Sequence, residues 1–125
     1  MTPPSHVHHV AVAVSDLGQA EHFYVGKLGL NVIRRHHRDD GTHRATWLDL
    51  GGAFLALELV SGGPQRTDDA VGWHCVALGI PRDSRDAWMS HLETHGVPIE
   101  RTSDYTLYVR DPDGSLVALS HYPDR

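Results

Sequence analysis

Cysteine is nearly absent from this 125-residue chain: Cys75 stands alone, so no disulfide can form within one copy. A single thiol fits a reducing compartment. No run approaches the roughly 18 apolar residues that a membrane span needs. The start, Met1-Thr2-Pro3-Pro4, lacks a basic stretch followed by an apolar one, so no secretory signal is expected. Positive charge is also in short supply. Eleven Lys and Arg against sixteen Asp and Glu leave a net charge of -5, which disfavours nucleic acid and anionic membranes as partners. These absences point to a cytoplasmic protein with a small-molecule partner.

Histidine is plentiful, with 11 residues spread along the chain. Imidazole is the commonest protein metal ligand and titrates near neutral pH. The length suits one compact domain or two small repeated ones.

The hydrophobic pattern predicts a strand at His9 to Val14, then N-cap chemistry at Ser15-Asp16. Leu17, Ala20, Phe23, Tyr24 and Leu28 recur at helical spacing, and Gly29 is the expected C-cap. Strands are expected over Leu30–His36, Ala45–Leu50 and Phe54–Val60, with a hairpin at Gly51-Gly52. Residues 61–70 read as a polar connecting loop. The order then repeats. A strand is expected over Trp73–Ile80, and a helix over Ser84–His95 with apolar contacts from Ala87, Trp88, Met89 and Leu92. Further strands are expected at Val97–Ile99, Tyr105–Val109 and Leu116–Leu119, the last two around a turn at 111–114. His9 and His74 open the two series, 65 positions apart. The fold class expected is α+β: two βαβββ modules, at 6–61 and 71–122 within a domain spanning 5–123. Their strands are expected to form a cup-shaped, partly closed mixed β-sheet with flanking helices.

Three donors fall at related places in this repeat. His9 and His74 open equivalent strands, and Glu58 lies inside the apolar run Ala56-Leu57-Glu58-Leu59. A carboxylate facing a core is costly without a partner. Two imidazoles and one carboxylate suit a divalent metal with open coordination positions. The competing reading pairs Glu58 with Arg44 and makes His9 a core histidine. His36, His37 and His43 read as solvated loop or strand-edge residues, with lining of the cup mouth as the minor alternative, Cys75 as a buried inert thiol, and Trp47, Trp73 and Trp88 as core or interface rather than a substrate-stacking cage.

The run from His9 to Leu17, Phe23-Tyr24, Leu28-Gly29-Leu30, Gly72-Trp73-His74 and Asp111-Pro112-Asp113-Gly114 resembles the vicinal oxygen chelate superfamily. That superfamily includes glyoxalase I, extradiol dioxygenases, fosfomycin resistance enzymes and bleomycin resistance proteins. The resemblance covers about residues 6 to 122. It implies metal ligation by His9, Glu58 and His74, with zinc, iron, manganese, nickel or cobalt as the ion. It also implies a homodimer in many relatives of this size. The family's fourth ligand position, often glutamate, is Ala118 here. A glutathione-contacting arginine and asparagine would fall at Ala13 and Gly62. These departures argue against a true glutathione-dependent glyoxalase. The resemblance therefore implies a lyase, isomerase or dioxygenase-like metalloenzyme acting on vicinal oxygens, or alternatively a drug-binding resistance protein. Tyr105, Tyr108 and His121 are the substrate-binding candidates of the second module; the general base is not identified.

Overall fold

β-branched and apolar residues at the start of the chain form β1 (His9–Val14), as their alternation dictates. A computed structural model describes all 125 residues. Asp16 caps α1 (Leu17–Glu21), its Oδ1 accepting from the Gln19 amide at 2.8 Å. The periodic apolar stretch is not one α-helix. It widens into a π-helical segment at His22–Lys27 and ends at Leu28, with Gly29 beyond at φ 79°. Adjacent Phe23 and Tyr24 are both buried, their rings edge to face with centroids 4.9 Å apart.

Three strands follow: β2 (Val32–His37), β3 (His43–Asp49) and β4 (Phe54–Leu59). β2 and β3 are offset by about two residues from the sequence expectation. The β3–β4 turn has Gly51 and Gly52 both at positive φ, a geometry that side chains with a Cβ resist. The sheet order is β1-β4-β3-β2, with β1 parallel to β4 and the other pairs antiparallel. The last strand thus lies beside the first, and β4 becomes a central strand.

One side of this sheet carries Val14, Thr46, Leu48, Leu55 and Leu57, all buried. Helix α1 covers that side, and Glu21 reaches Thr46 and Arg35 there. Strict alternation puts His9, Ala11, Ala13, Phe54, Ala56, Glu58, Ala45, Trp47 and His36 on the other side.

The chain divides into two units at Gly63 and Pro64. The second repeats the order: β5 (Cys75–Gly79), α2 (Arg85–Thr94), β6 (Arg101–Thr102), β7 (Thr106–Arg110) and β8 (Leu116–Ser120). Its sheet order is β5-β8-β7-β6, again with the first and last strands parallel. The fold class is α+β, built as two separate four-stranded mixed sheets with their helices.

Several expectations need correction. No strand forms at Val97–Ile99: the Val97 amide bonds back to the Leu92 carbonyl, finishing the helix, and Pro98 has no amide to give a ladder. Pairing starts later, at Arg101. A short 3-10 turn at Arg82–Ser84 leads into α2, which buries only Leu92 fully; Ala87 and Met89 are exposed and Trp88 is half-buried. Cys75 is exposed rather than buried, because β5 is an edge strand with one open flank. Trp73 lies outside any core, at 89% exposed. The closing turn forms as expected, with Asp111 Oδ1 accepting from the Asp113 and Ser115 amides at 3.0 and 2.8 Å.

Candidate functional site

Glu58 occupies the central strand of the first sheet, between Ala13 on β1 and Ala45 on β3. Its side faces away from α1. The carboxylate is half-buried, and no ion pair engages it; the Arg44 partnership is not formed. Both register neighbours are alanines, Ala13 exposed and Ala45 buried. The strand order supplies this geometry, since only a central strand flanks one side chain with two others in register.

His9 is on the same side, paired with Phe54, four positions before Glu58 along β4. At about 3.3 Å per residue the two are offset by roughly 13 Å along the strands. A shared ion requires their side chains to lean toward each other. The His9 ring stacks on Phe54 at 4.7 Å, and its Nδ1 lies 2.9 Å from Nδ1 of His8, whose ring also meets Phe54.

His36 was not singled out by sequence, yet it shares the Glu58 row, one strand beyond Ala45. Its Nε2 is buried and has no hydrogen-bond partner. Burial first, then the charges of Arg34 and Arg44, push its pKa down, while Glu58 acts in the opposite sense. Next to it, Trp47 is half-buried in a continuous ring row, not in a core. Centroids run 4.7 Å from His9 to Phe54, 4.3 Å from Phe54 to Trp47, and 4.3 Å from Trp47 to His36. The signal missed in the sequence was register: one aromatic or imidazole on each of four strands, on a diagonal that steps two residues from Phe54 to Trp47 and two more to His36.

In the second unit His74 immediately precedes β5, and its Nε2 is 3.4 Å from Nη2 of Arg101. It borders a small cavity with Arg66, Asp68, Trp73 and Arg110. Arg110 donates to both Asp68 oxygens, at 2.9 and 2.7 Å, and pairs with Glu100. The Arg110 bond is the main reason the Asp68 carboxyl is held below its usual range.

Ala118 is 1% exposed and sits in register between Ala77 and Tyr108. The Arg101 guanidinium lies 4.2 Å above the Tyr108 ring. Tyr105 accepts from Arg125 Nε at 2.9 Å and packs on Tyr122. His121 is 3% exposed; its Nε2 accepts from Arg85 at 2.9 Å and its Nδ1 contacts the Asp124 carbonyl. Both ring nitrogens of His121 are therefore committed inside the fold, while Tyr105 and Tyr108 are each half-buried.

No three His, Cys, Asp or Glu side chains converge in the structure. The donor set itself fits a divalent ion: two imidazoles and a carboxylate without a protein counter-ion. His9 and Glu58 share one sheet face, and His74 belongs to the other unit.

The paired βαβββ units, each with its last strand parallel to its first, define a glyoxalase-type architecture. Residues 6–119 match the Glyoxalase/Bleomycin resistance protein/Dioxygenase superfamily, and the chain belongs to that superfamily. Protein YaeR of Escherichia coli (strain K12) is 32% identical over 126 residues, covering 90% of this chain and 93% of YaeR. The crystal structure of a glyoxalase family protein from Enterococcus faecalis superposes with a TM-score of 0.74 at 27% identity, over 93% of this chain and 97% of that one. A lactoylglutathione lyase from Agrobacterium tumefaciens shares the fold, with a TM-score of 0.73 at 22% identity, over 97% of this chain and 96% of that one.

Proposed function

We propose that the protein is a divalent-metal-dependent enzyme of the lyase, isomerase or dioxygenase-like kind, with His9, Glu58 and His74 as the ligands. The observation that carries this reading is Glu58: a half-buried carboxylate on a central strand, flanked by alanines and free of any ion pair. A bound zinc, iron, manganese, nickel or cobalt ion would supply Lewis acidity to two neighbouring oxygens of a small substrate. The chain supplies the rest. Glu58 contributes the negative charge, and His9 and His74 the neutral nitrogen donors. Ala13 and Ala45, the register neighbours of Glu58, add no polar group that would compete for its carboxylate. Ala118, in place of a glutamate, leaves no carboxylate to act as a base there, so a glutathione-dependent lyase reaction is not the one proposed. In this reading the protein works as a homodimer; β1 and β5 are both edge strands.

A second reading, a ligand-binding protein without catalysis, draws on the ring row from His9 to His36. Metal content separates the two. Untagged protein and the variants His9→Ala, Glu58→Ala and His74→Ala are measured by plasma mass spectrometry. Near-stoichiometric metal that all three substitutions abolish supports the enzyme. No metal in the parent, even after soaking and desalting, sinks it in favour of the binding protein.

A further inference from the structure

The ring row on the face of the first sheet away from α1 has an orientation that its stacking reveals. His9 and Phe54 are within 6° of parallel, and Phe54 and Trp47 within 26°. The 4.7 Å between His9 and Phe54 matches the separation of neighbouring strands, and Trp47, two residues off register from Phe54, leans to stack on it at 4.3 Å. Rings that stack on their strand neighbours stand upright from the sheet, so they turn their edges outward. The edge of an aromatic ring is the positive part of its quadrupole, and it attracts the electron-rich face of another ring. At the β2 end of this row lies His36, with a buried, unpaired Nε2 and with Arg34 and Arg44 among the charges it feels. Arg34 stands in register with Trp47 on the same side. Ring edges and Arg34 are thus positive toward whatever lies there.

We propose that His36 is a specificity-determining residue, which contacts an anionic oxygen on the rim of a planar, electron-rich ligand lying across the edges of Phe54 and Trp47. Contact requires the His36 ring to turn its Nε2 outward, and it gives that nitrogen the partner the sheet withholds. Arg34 supplies charge of the matching sign in a protein whose net charge is -5. A plain apolar face would not need an unpaired nitrogen at its end. A second copy of the chain is less suited to this surface, because a covering sheet would bury Arg34 and leave the His36 nitrogen unpaired. The inference concerns the same face as the ligand set proposed above but makes no use of an ion.

The test is isothermal titration calorimetry on the EDTA-treated full chain at pH 7.5. The probe is 2-naphthoate, which is planar and anionic and has no neighbouring hydroxyls for chelation. 2-Naphthamide is its neutral counterpart, and cyclohexanecarboxylate its non-planar one. We expect 2-naphthoate to bind, and both controls to bind more weakly. His36→Phe keeps the ring row and removes the nitrogen. It should weaken 2-naphthoate by about tenfold, as expected for loss of one charged hydrogen bond, and leave 2-naphthamide unchanged. Trp47→Leu should weaken both planar probes. His36→Gln, judged folded by circular dichroism, keeps a donor and should recover part of the loss. Equal 2-naphthoate affinity in parent and His36→Phe overturns the proposal, as does failure of the parent to bind any planar anion. A change of oligomeric state in His36→Phe, seen by sedimentation with probe binding unaltered, also overturns it in favour of a second copy. Metal content is read separately. Parent protein that carries no metal before EDTA treatment, even after soaking and desalting, and that binds 2-naphthoate through His36 sinks the metalloenzyme reading and leaves this one standing.

Discussion

The buried hydroxyl of Thr46 donates to the Glu21 carboxylate at 2.6 Å, joining β3 to α1 under the first sheet. Arg35 reaches the same carboxylate through Nη2 at 2.6 Å and Nε at 3.2 Å. His43 Nε2 lies 2.8 Å from the Thr46 oxygen. Because that hydroxyl's proton goes to Glu21, the histidine nitrogen must be the donor in the second bond. The four side chains tie helix to sheet on the side opposite the candidate site.

This network sets an acid limit. The Arg35 hydrogen bond, the largest influence, holds the Glu21 carboxyl below its ordinary 4.5; burial opposes it, and Thr46 and His43 assist it. A folded-state pKa below the unfolded one adds stability above the unfolded value, and that stability is lost as pH falls through the folded value. Melting temperature should therefore decline below about pH 4.5 for this group. Glu21→Gln should show a flatter profile over pH 3 to 7. An unaltered profile in that variant would place the acid sensitivity elsewhere.

Thr46→Val keeps the shape and removes the hydroxyl. Glu21 loses one donor and His43 one acceptor in a buried place. The expected cost is about 1–2 kcal/mol in urea unfolding, with the slope of the transition unchanged.

Glu58 should behave in the opposite way. Its carboxylate has no ion pair to lose, so Glu58→Leu in metal-free protein should alter stability by less than about 0.5 kcal/mol. Added metal should stabilise the parent by about 2.7 kcal/mol at a hundredfold excess over Kd, and the variant not at all. Thermal melts with and without metal decide this. A large loss in the metal-free variant would make Glu58 a structural residue.

Arg110 holds the segment that connects the units. It bonds Asp68, Glu100 and the Gly114 carbonyl, and its side chain is partly exposed. Exposed pairs contribute only about 0.2–1 kcal/mol, so Arg110→Ala should melt near the parent. Trypsin should nonetheless cut faster after Arg66 in the variant, because the loop has lost its anchor. Equal cleavage rates would show that other contacts secure it.

His121→Phe should destabilise the second unit by about 1–3 kcal/mol, since the Arg85 guanidinium loses a buried acceptor. Ligand affinity should not change. A selective loss of affinity at unchanged stability would return His121 to the substrate site.

Strand order and helix placement were legible because β-branched runs, the Asp16 cap and the glycines at 29, 51, 52 and 96 each act locally. The two-residue shift of β2 and β3 was not, since pairing, not propensity, decides where a ladder begins. The π-helical segment was hidden for a related reason: Phe23 and Tyr24 suit either winding, and packing selects. His9, Glu58 and His74 could be picked out by their place in the repeat. His36 could not. Its importance lies in sharing a row with Ala45 and Glu58 across two strand partners, and a linear sequence does not display cross-strand register. The partners of His121 were equally hidden, because the alternation rule gives direction but not what waits in that direction, here Arg85 and the Asp124 carbonyl.

The exposure of Cys75 makes the chain convenient to instrument. It is the sole thiol, stands on an edge strand, and adjoins His74 in sequence. A maleimide dye would attach at one position only, and dye per chain would count accessible copies directly. A spin label there would sit next to a proposed donor. Its relaxation by a paramagnetic ion such as manganese would then report, without any turnover, whether an ion comes to rest close to His74.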